Sequence, residues 1–141
     1  MIRTTGRILL LGVITATAAC STTPTVPTAP PPPTILEEPP WTGTLTTNGF
    51  QVFPFIATAS GQVSATIFSL SPNPDNTVRV GLALGRWDGQ ACELIIANPD
   101  AFQTTIVYGT ATTGGQLCAW IGDNKSRLTD PVDFDVRVTH P

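Results

Sequence analysis

The chain has 141 residues, of which 41% are hydrophobic and only 12% are charged. Its formal net charge is −3, and an acidic chain lacks the basic surface that attracts nucleic acids. It contains one histidine and three cysteines, which leaves one imidazole to serve as the base for a nucleophile and few ligands for a zinc site. Composition therefore argues against nucleic-acid binding and disfavours an enzyme.

Residues 1–19 have the order of a secretory signal peptide. The cations Arg3 and Arg7 come first, an apolar run follows at residues 8–16, and small residues lead to Cys20. The apolar run is too short to remain in a membrane as a spanning helix. An ordinary signal peptide that leaves Cys20 as a free thiol is the alternative.

The residues Thr-Ala-Ala-Cys at 17–20 resemble the lipobox of bacterial lipoproteins, in which leucine usually occupies the place of Thr17. The resemblance implies cleavage before Cys20, transfer of diacylglycerol to its thiol, and acylation of the new amine with a fatty acid such as palmitate. Two or three acyl chains hold a protein at a membrane far better than one. Ser21 implies export to the outer membrane in a cell with two membranes. We therefore expect a lipoprotein of the bacterial cell envelope.

Residues 20–40 contain the anchor cysteine and a predicted linker, and eight of residues 21–40 are proline. Proline fixes φ and lacks an amide hydrogen, so this segment cannot form a helix or a central strand. We predict a disordered, polyproline II-like tether that reaches roughly 60 Å at most. A PxxP ligand for an aromatic groove is the alternative, but the domains that bind such ligands are mostly cytosolic.

Residues 41–141 are predicted to form one domain, which is large enough to bury a core. Apolar and polar side chains alternate through most of it, as in half-buried strands. The predicted strands are 41–47, 53–57, 63–67, 78–84, 94–96, 102–108, 117–121 and 132–138. The predicted turns are 60–61, 72–76, 87–89, 98–100, 113–115 and 123–125. Eight strands at about ten-residue spacing favour an antiparallel β-sandwich or barrel.

The cysteines that remain beside Cys20 are Cys92 and Cys118. In an exported protein an even pair indicates a disulfide. The chain has no CxxC motif, which disfavours zinc, and two free thiols are the remaining alternative. Cys118 alternates onto the same face of its strand as Trp120, opposite an apolar face. We therefore expect the disulfide to cover the outer surface of a sheet.

Aromatic side chains are the candidates for a ligand-binding surface. Trp87 lies in a predicted turn, and Tyr108 and Trp120 lie in predicted strands. Together with Trp41 they could stack against sugar rings, although packing in the core or at a sheet edge would explain each of them as well.

The sequence predicts no catalytic residue and no metal site. His140 is expected at a frayed strand end, so a nucleophile lacks a base. Asp133 and Asp135 alternate with apolar residues and are expected on a solvent face, not as a glycosidase pair. Calcium is the alternative ligand chemistry, because oxygen donors occupy turns. These donors are Asp75, Asn76, Asp123, Asn124 and Asp130, and local hydrogen bonding in turns explains them without a cofactor.

From residue 53 onward the order of segments is FPF, ATASGQVSATIFSL, VRVGLALG, TATTGGQLCAWIGD and DFDVRVTHP. Over residues 50–141 this order resembles the small bacterial domains of the pre-peptidase C-terminal (PPC) type, although Leu117 and Cys118 replace the usual late aromatic pair. The resemblance implies a jelly-roll-like β-sandwich with an accessory, non-catalytic role. Some members of that family bind polysaccharide, collagen or calcium.

These features predict a membrane-anchored lipoprotein whose sandwich is a non-catalytic binding or adhesion module. The expected partners are the membrane, through the lipid anchor, and an envelope polysaccharide or protein. The alternative is a structural or assembly component of a larger envelope complex, in which an edge of the sandwich pairs with another protein.

Overall fold

The computed structural model describes residues 29–141. The predicted leader, Cys20 and residues 21–28 of the predicted linker lie outside the described residues. The strands within the described part are β1 (Leu36–Glu37), β2 (Trp41–Leu45), β3 (Phe50–Ala57), β4 (Gly61–Ser71), β5 (Val80–Trp87), β6 (Cys92–Ala101), β7 (Ile106–Ala111), β8 (Gly115–Gly122) and β9 (Val132–His140). One 3₁₀ turn, Pro74–Asn76, separates β4 from β5. Among these residues, no helix has the length and apolarity that a membrane crossing requires.

The strands form two antiparallel sheets. Sheet I has the order β1–β9–β4–β7, with β2 also paired to β9, and sheet II has the order β3–β8–β5–β6. The eight longer strands pass between the sheets at every step except from β5 to β6, which are both in sheet II, and this is the strand order of a jelly roll. The predicted jelly-roll-like sandwich is confirmed, and the short strand β1 is added to the eight predicted strands.

The core lies between the two sheets and is built from alternate positions of the strands. Val63, Ala65 and Ile67 of β4 are at most 3% exposed, as the alternation predicts. Full burial of an aliphatic side chain stabilises the fold by about 1.5–3 kcal/mol. The apolar side chains less than 2% exposed include Leu45, Ile67, Val80, Leu82, Ile121, Val136 and Val138.

The turn predicted at 98–100 is wrong, because these residues belong to strand β6. The strand is at the edge of sheet II, and its register with β5 shifts between Val80 and Leu82, which is opposite Pro99. A proline is tolerated at such an edge or bulge because few ladder hydrogen bonds are lost there.

The chain turns instead at residues 102–105, where Thr104 has a φ of 76°. Strand β7 therefore begins at Ile106, and its alternation has the opposite phase to that of the predicted strand 102–108. Val107 is buried, whereas Ile106 is 41% and Tyr108 is 53% exposed.

Strand pairing begins inside the segment predicted as linker, because Leu36 and Glu37 pair with the end of β9. The next residue, Glu38, has its carboxylate 2.9 Å from Nε2 of His140. His140 is only 2% exposed, and its ring stacks on Phe55 at 5.2 Å. The expected frayed end at His140 is therefore wrong, because these contacts hold the histidine in the interior.

Candidate binding groove

The predicted disulfide joins Cys92 to Cys118. These residues lie on β6 and β8, which are separated by β5. Strands two places apart in a sheet are roughly 10 Å apart, yet the two Cα atoms are 5.9 Å apart. The beginning of β6 therefore lies over the outer surface of β5.

Gly85 of β5 makes this approach possible. It pairs with Cys118 on one side and with Leu94 on the other. The backbone carbonyl of Glu93 occupies the space where a Cβ of Gly85 would lie. A side chain at position 85 would push β6 away and separate the two cysteines.

The two faces of β8 are divided as the sequence predicts. Ala119 and Ile121 belong to the core, and Leu117 packs against it. Cys118 and Trp120 alternate with them and lie on the outer face of sheet II. Cys118 is still fully buried, because β6 crosses above it.

The indole ring of Trp120 packs against two glycines of sheet II. A Cβ added to Gly81 would lie 2.8 Å from its Cζ3 atom, and one added to Gly122 would lie 2.7 Å from Cζ2 and Cη2. Phe50 stacks beside the ring, with centroids 6.1 Å apart and planes inclined by 21°. Because glycine has no side chain at these two positions, the indole of Trp120 can lie flat against the sheet.

An open groove runs over the outer face of sheet II, above the disulfide. Trp120 and Phe50 line one end, Trp87 lines the other, and the remaining lining residues are Val52, Gln90, Ala91, Cys92 and Leu94. Trp87 is the last residue of β5, so its predicted position within a turn is wrong. Ala83 pairs with Trp120 and lies four residues before Trp87, which is a distance of about 13 Å along a strand.

A tight hairpin supports the Trp87 end of the groove. The Oδ1 atom of Asp88 accepts hydrogen bonds from the backbone N–H groups of Gln90 and Ala91, both at 2.7 Å. The Ala91 bond first, and then the Gln90 bond, lower the pKa of Asp88 below its ordinary value. The carboxylate thus organises the loop between β5 and β6.

The predicted aromatic set does not form one surface. Trp87 and Trp120 share the groove, whereas Tyr108 lies on sheet I, where it pairs with Ser64. Phe50 is a groove residue that the sequence did not indicate, because it precedes the predicted strand 53–57. The only signal that could have found it is its alternation with Val52.

The oxygen donors considered for calcium serve other contacts or lie in separate loops. Asp123 is 4% exposed and accepts hydrogen bonds from the backbone N–H groups of Arg127, Leu128 and Asn48 at 2.8, 3.1 and 3.2 Å. Burial raises the pKa of Asp123, but the backbone donors together outweigh it and lower the pKa below its ordinary value. This carboxylate therefore anchors two loops.

Of the remaining donors, Asp130 accepts a hydrogen bond from Thr129 at 3.0 Å, and Asp75 and Asn76 lie in the 3₁₀ turn. Asn124 is exposed beside Gly81. Within residues 29–141, no group of three His, Cys, Asp or Glu side chains is arranged to hold a metal ion.

The carboxylates of the last strand lie on the outer face of sheet I, as the alternation predicts. Asp133 accepts a hydrogen bond from the hydroxyl of Thr44, and Asp135 pairs with Arg137 at 2.9 Å. Each carboxylate therefore has its own local partner on that face.

The fold and the groove define a disulfide-bonded jelly-roll β-sandwich with an aromatic groove on one outer face. No protein-family model matches the chain, and a search of curated proteins finds no match either.

Proposed function

We propose that the protein is a lipid-anchored lipoprotein of the bacterial cell envelope whose sandwich is a non-catalytic binding or adhesion module. The aromatic groove carries this proposal, because it places the half-buried rings of Trp87 and Trp120 and the exposed ring of Phe50 in one surface cleft, and clefts lined by aromatic side chains are typical of binding sites. The only histidine is enclosed by Glu38 and Phe55, so it is not placed to activate a nucleophile in the groove.

The sequence before the domain supports the envelope location. The lipobox-like residues 17–20 favour a lipid anchor at Cys20, and Ser21 favours the outer membrane in a cell with two membranes. The proline-rich segment would act as a spacer. The resemblance to PPC-type domains also supports an accessory role.

The anchor is tested by Cys20→Ser in a bacterial host. We expect the unaltered protein to fractionate with membranes and to carry acyl groups on Cys20 in mass spectra, because two or three chains are needed for stable anchoring. The variant should lose both properties. Thr17→Leu, which restores the usual lipobox residue, is the control and should remain anchored. A soluble wild-type protein with unmodified Cys20 would contradict the proposal.

The groove is tested by Trp87→Ala and Trp120→Ala, with binding measured against isolated envelope polysaccharide and solubilised envelope proteins. We expect each change to weaken binding at least about tenfold, as loss of a central aromatic contact typically does. Tyr108→Ala is the matched control, because it removes an exposed aromatic from sheet I. If both tryptophan variants bind as well as the wild-type protein, the groove is excluded as the binding site.

A structural or assembly role is the second candidate, and the edge strand β6 favours it. Leu94, Ile95 and Ile96 are 44%, 67% and 39% exposed, and an exposed apolar edge strand is a template for pairing with another strand. Binding that survives both tryptophan changes but is lost in Ile95→Lys would assign the contact to this edge. Crosslinking in native membranes to one stoichiometric protein would support it.

A further inference from the structure

We propose that the Trp120 end of the groove binds an uncharged pyranose ring of a polysaccharide, which stacks on Trp120 and is hydrogen-bonded by Asn124. This inference rests on the proposed binding function and names its ligand class. It follows from the ring's support, from the amide beside it and from the charge of the groove.

Trp120 presents a flat aromatic surface that is supported from below. The Trp120 ring cannot sink further, because Gly81 and Gly122 lie directly beneath it. Phe50, which is 62% exposed, adds a nearly parallel ring beside it. A flat apolar surface of this kind complements the C–H face of a pyranose, and it loses little conformational entropy on binding because it is already held in place.

The Asn124 side chain lies close to this aromatic surface. It lies at the margin of the indole, since a Cβ on Gly81 would be 3.2 Å from its Cγ and 2.8 Å from Cζ3 of Trp120. An amide offers both donors and an acceptor, which matches neighbouring sugar hydroxyls. Asn124 directly follows Asp123, whose backbone hydrogen bonds fix the loop. The amide is thus presented at a defined place beside the ring.

The groove is lined by uncharged side chains. None of the described residues that line the groove is charged, whereas the chain has ten acidic residues and seven basic ones. An anionic polymer would find no cation in this lining, and an acyl chain offers no hydroxyl with which the amides of Gln90 and Asn124 could hydrogen-bond. A neutral sugar satisfies both the aromatic rings and the amides.

The groove is long enough for a chain of sugars and not only for one ring. Trp87 and Gln90 line the end opposite Trp120 and repeat its combination of an indole and an amide. Along β5 the position of Ala83, which pairs with Trp120, is about 13 Å from that of Trp87, and a groove of at least this length accommodates a short oligosaccharide with one sugar ring at each tryptophan.

The test uses the full lipoprotein, extracted in detergent, with a panel of neutral trisaccharides of glucose, mannose and N-acetylglucosamine and an acidic trisaccharide of galacturonate. Tryptophan fluorescence and saturation-transfer NMR report binding. We expect at least one neutral sugar to bind in preference to the acidic one. Trp120→Ala and Asn124→Ala should each weaken it, by at least about tenfold for the tryptophan, while circular dichroism shows an unchanged fold.

A pair of glycine variants tests whether sugar binding depends on the flat position of the Trp120 ring. Gly81→Ala should tilt the indole and weaken sugar binding, because its methyl group meets the ring at 2.8 Å. Gly115→Ala is the matched control, since its methyl group would meet nothing within 4 Å. Equal sugar affinity of the wild-type protein and both the Gly81→Ala and Trp120→Ala variants would overturn the inference.

Two further results separate this inference from the proposed function. If no neutral trisaccharide binds and protease treatment of the envelope abolishes capture, the ligand is a protein. The sugar inference is then overturned and the binding function stands. If neither sugars nor any envelope fraction binds, both are overturned.

Discussion

Replacement of both Cys92 and Cys118 by serine is expected to lower the free energy of unfolding by about 3–4 kcal/mol. The disulfide spans a sequence separation of 26 residues, and its loss frees the unfolded chain to adopt many more conformations. A small domain has only about 5–15 kcal/mol of stability in total. Urea denaturation of the double variant and of the wild-type protein measures the difference.

Reducing agent provides the control for this prediction. It should shift the wild-type midpoint to that of the double variant and leave the variant unchanged. Equal midpoints of the oxidised wild type and the variant would contradict a stabilising role for the disulfide.

The same replacement should also weaken ligand binding in the groove. Cys92 lines the groove, and its bond to Cys118 holds the beginning of β6 over Gly85. Once the bond is lost, Trp87 and the hairpin that follows it are held to sheet II by strand pairing alone. Binding measured well below the unfolding midpoint separates this local effect from global unfolding.

Asp123→Ala is the second change with a large expected effect, a loss of about 3 kcal/mol or more at neutral pH. A hydrogen bond to a charged group contributes about 1.5–3 kcal/mol, and a buried donor left unpaired costs a further 1–3 kcal/mol. The variant would leave the amides of Asn48, Arg127 and Leu128 without this acceptor. Denaturant unfolding measures the loss.

Asp130→Ala is the matched control, because it removes an exposed carboxylate from the same loop. Surface changes of this kind usually stay within about 0.5 kcal/mol. Similar losses in the Asp123 and Asp130 variants would contradict the anchoring role of Asp123.

The loss of unfolding free energy in Asp123→Ala should be larger at neutral pH than at acid pH. The pKa of Asp123 is lower in the folded protein than its ordinary value, so the unfolded chain takes up the proton first as pH falls. The stability that the Asp123 carboxylate provides is complete above its pKa in the unfolded chain, about 3.9. This stability is lost as the pH falls through the lower pKa of Asp123 in the folded protein. At low pH the free energies of unfolding of the wild-type protein and of Asp123→Ala should therefore differ less than at neutral pH. An unchanged difference from pH 7 to pH 3 would contradict this account.

Much of the sandwich is predictable because side-chain direction in a strand depends only on local alternation. Val63, Ala65 and Ile67 mark the core face of β4 in the sequence and are buried in the structure. The same alternation correctly separates Cys118 and Trp120 from the core face of β8. The even cysteine pair also predicts the disulfide, because export favours oxidised thiols.

Local pattern fails where the position in a sheet changes what a residue can tolerate. Pro99 has the appearance of a turn residue but lies in β6, since an edge strand with a register shift accepts it. His140 is expected to fray, and contacts with Glu38 and Phe55 from distant parts of the chain bury it instead.

The sequence by itself determined the all-β class, the core faces of the strands and the cysteine pair, because each depends on local alternation or on composition. Only the tertiary structure decided which residues outside the core meet. Phe50, Trp87 and Trp120 are far apart in the chain and share a groove because β3, β8 and β5 are neighbours in sheet II. The role of Gly81 beneath Trp120 becomes clear only when that strand order is known, because the ring that packs on Gly81 belongs to another strand.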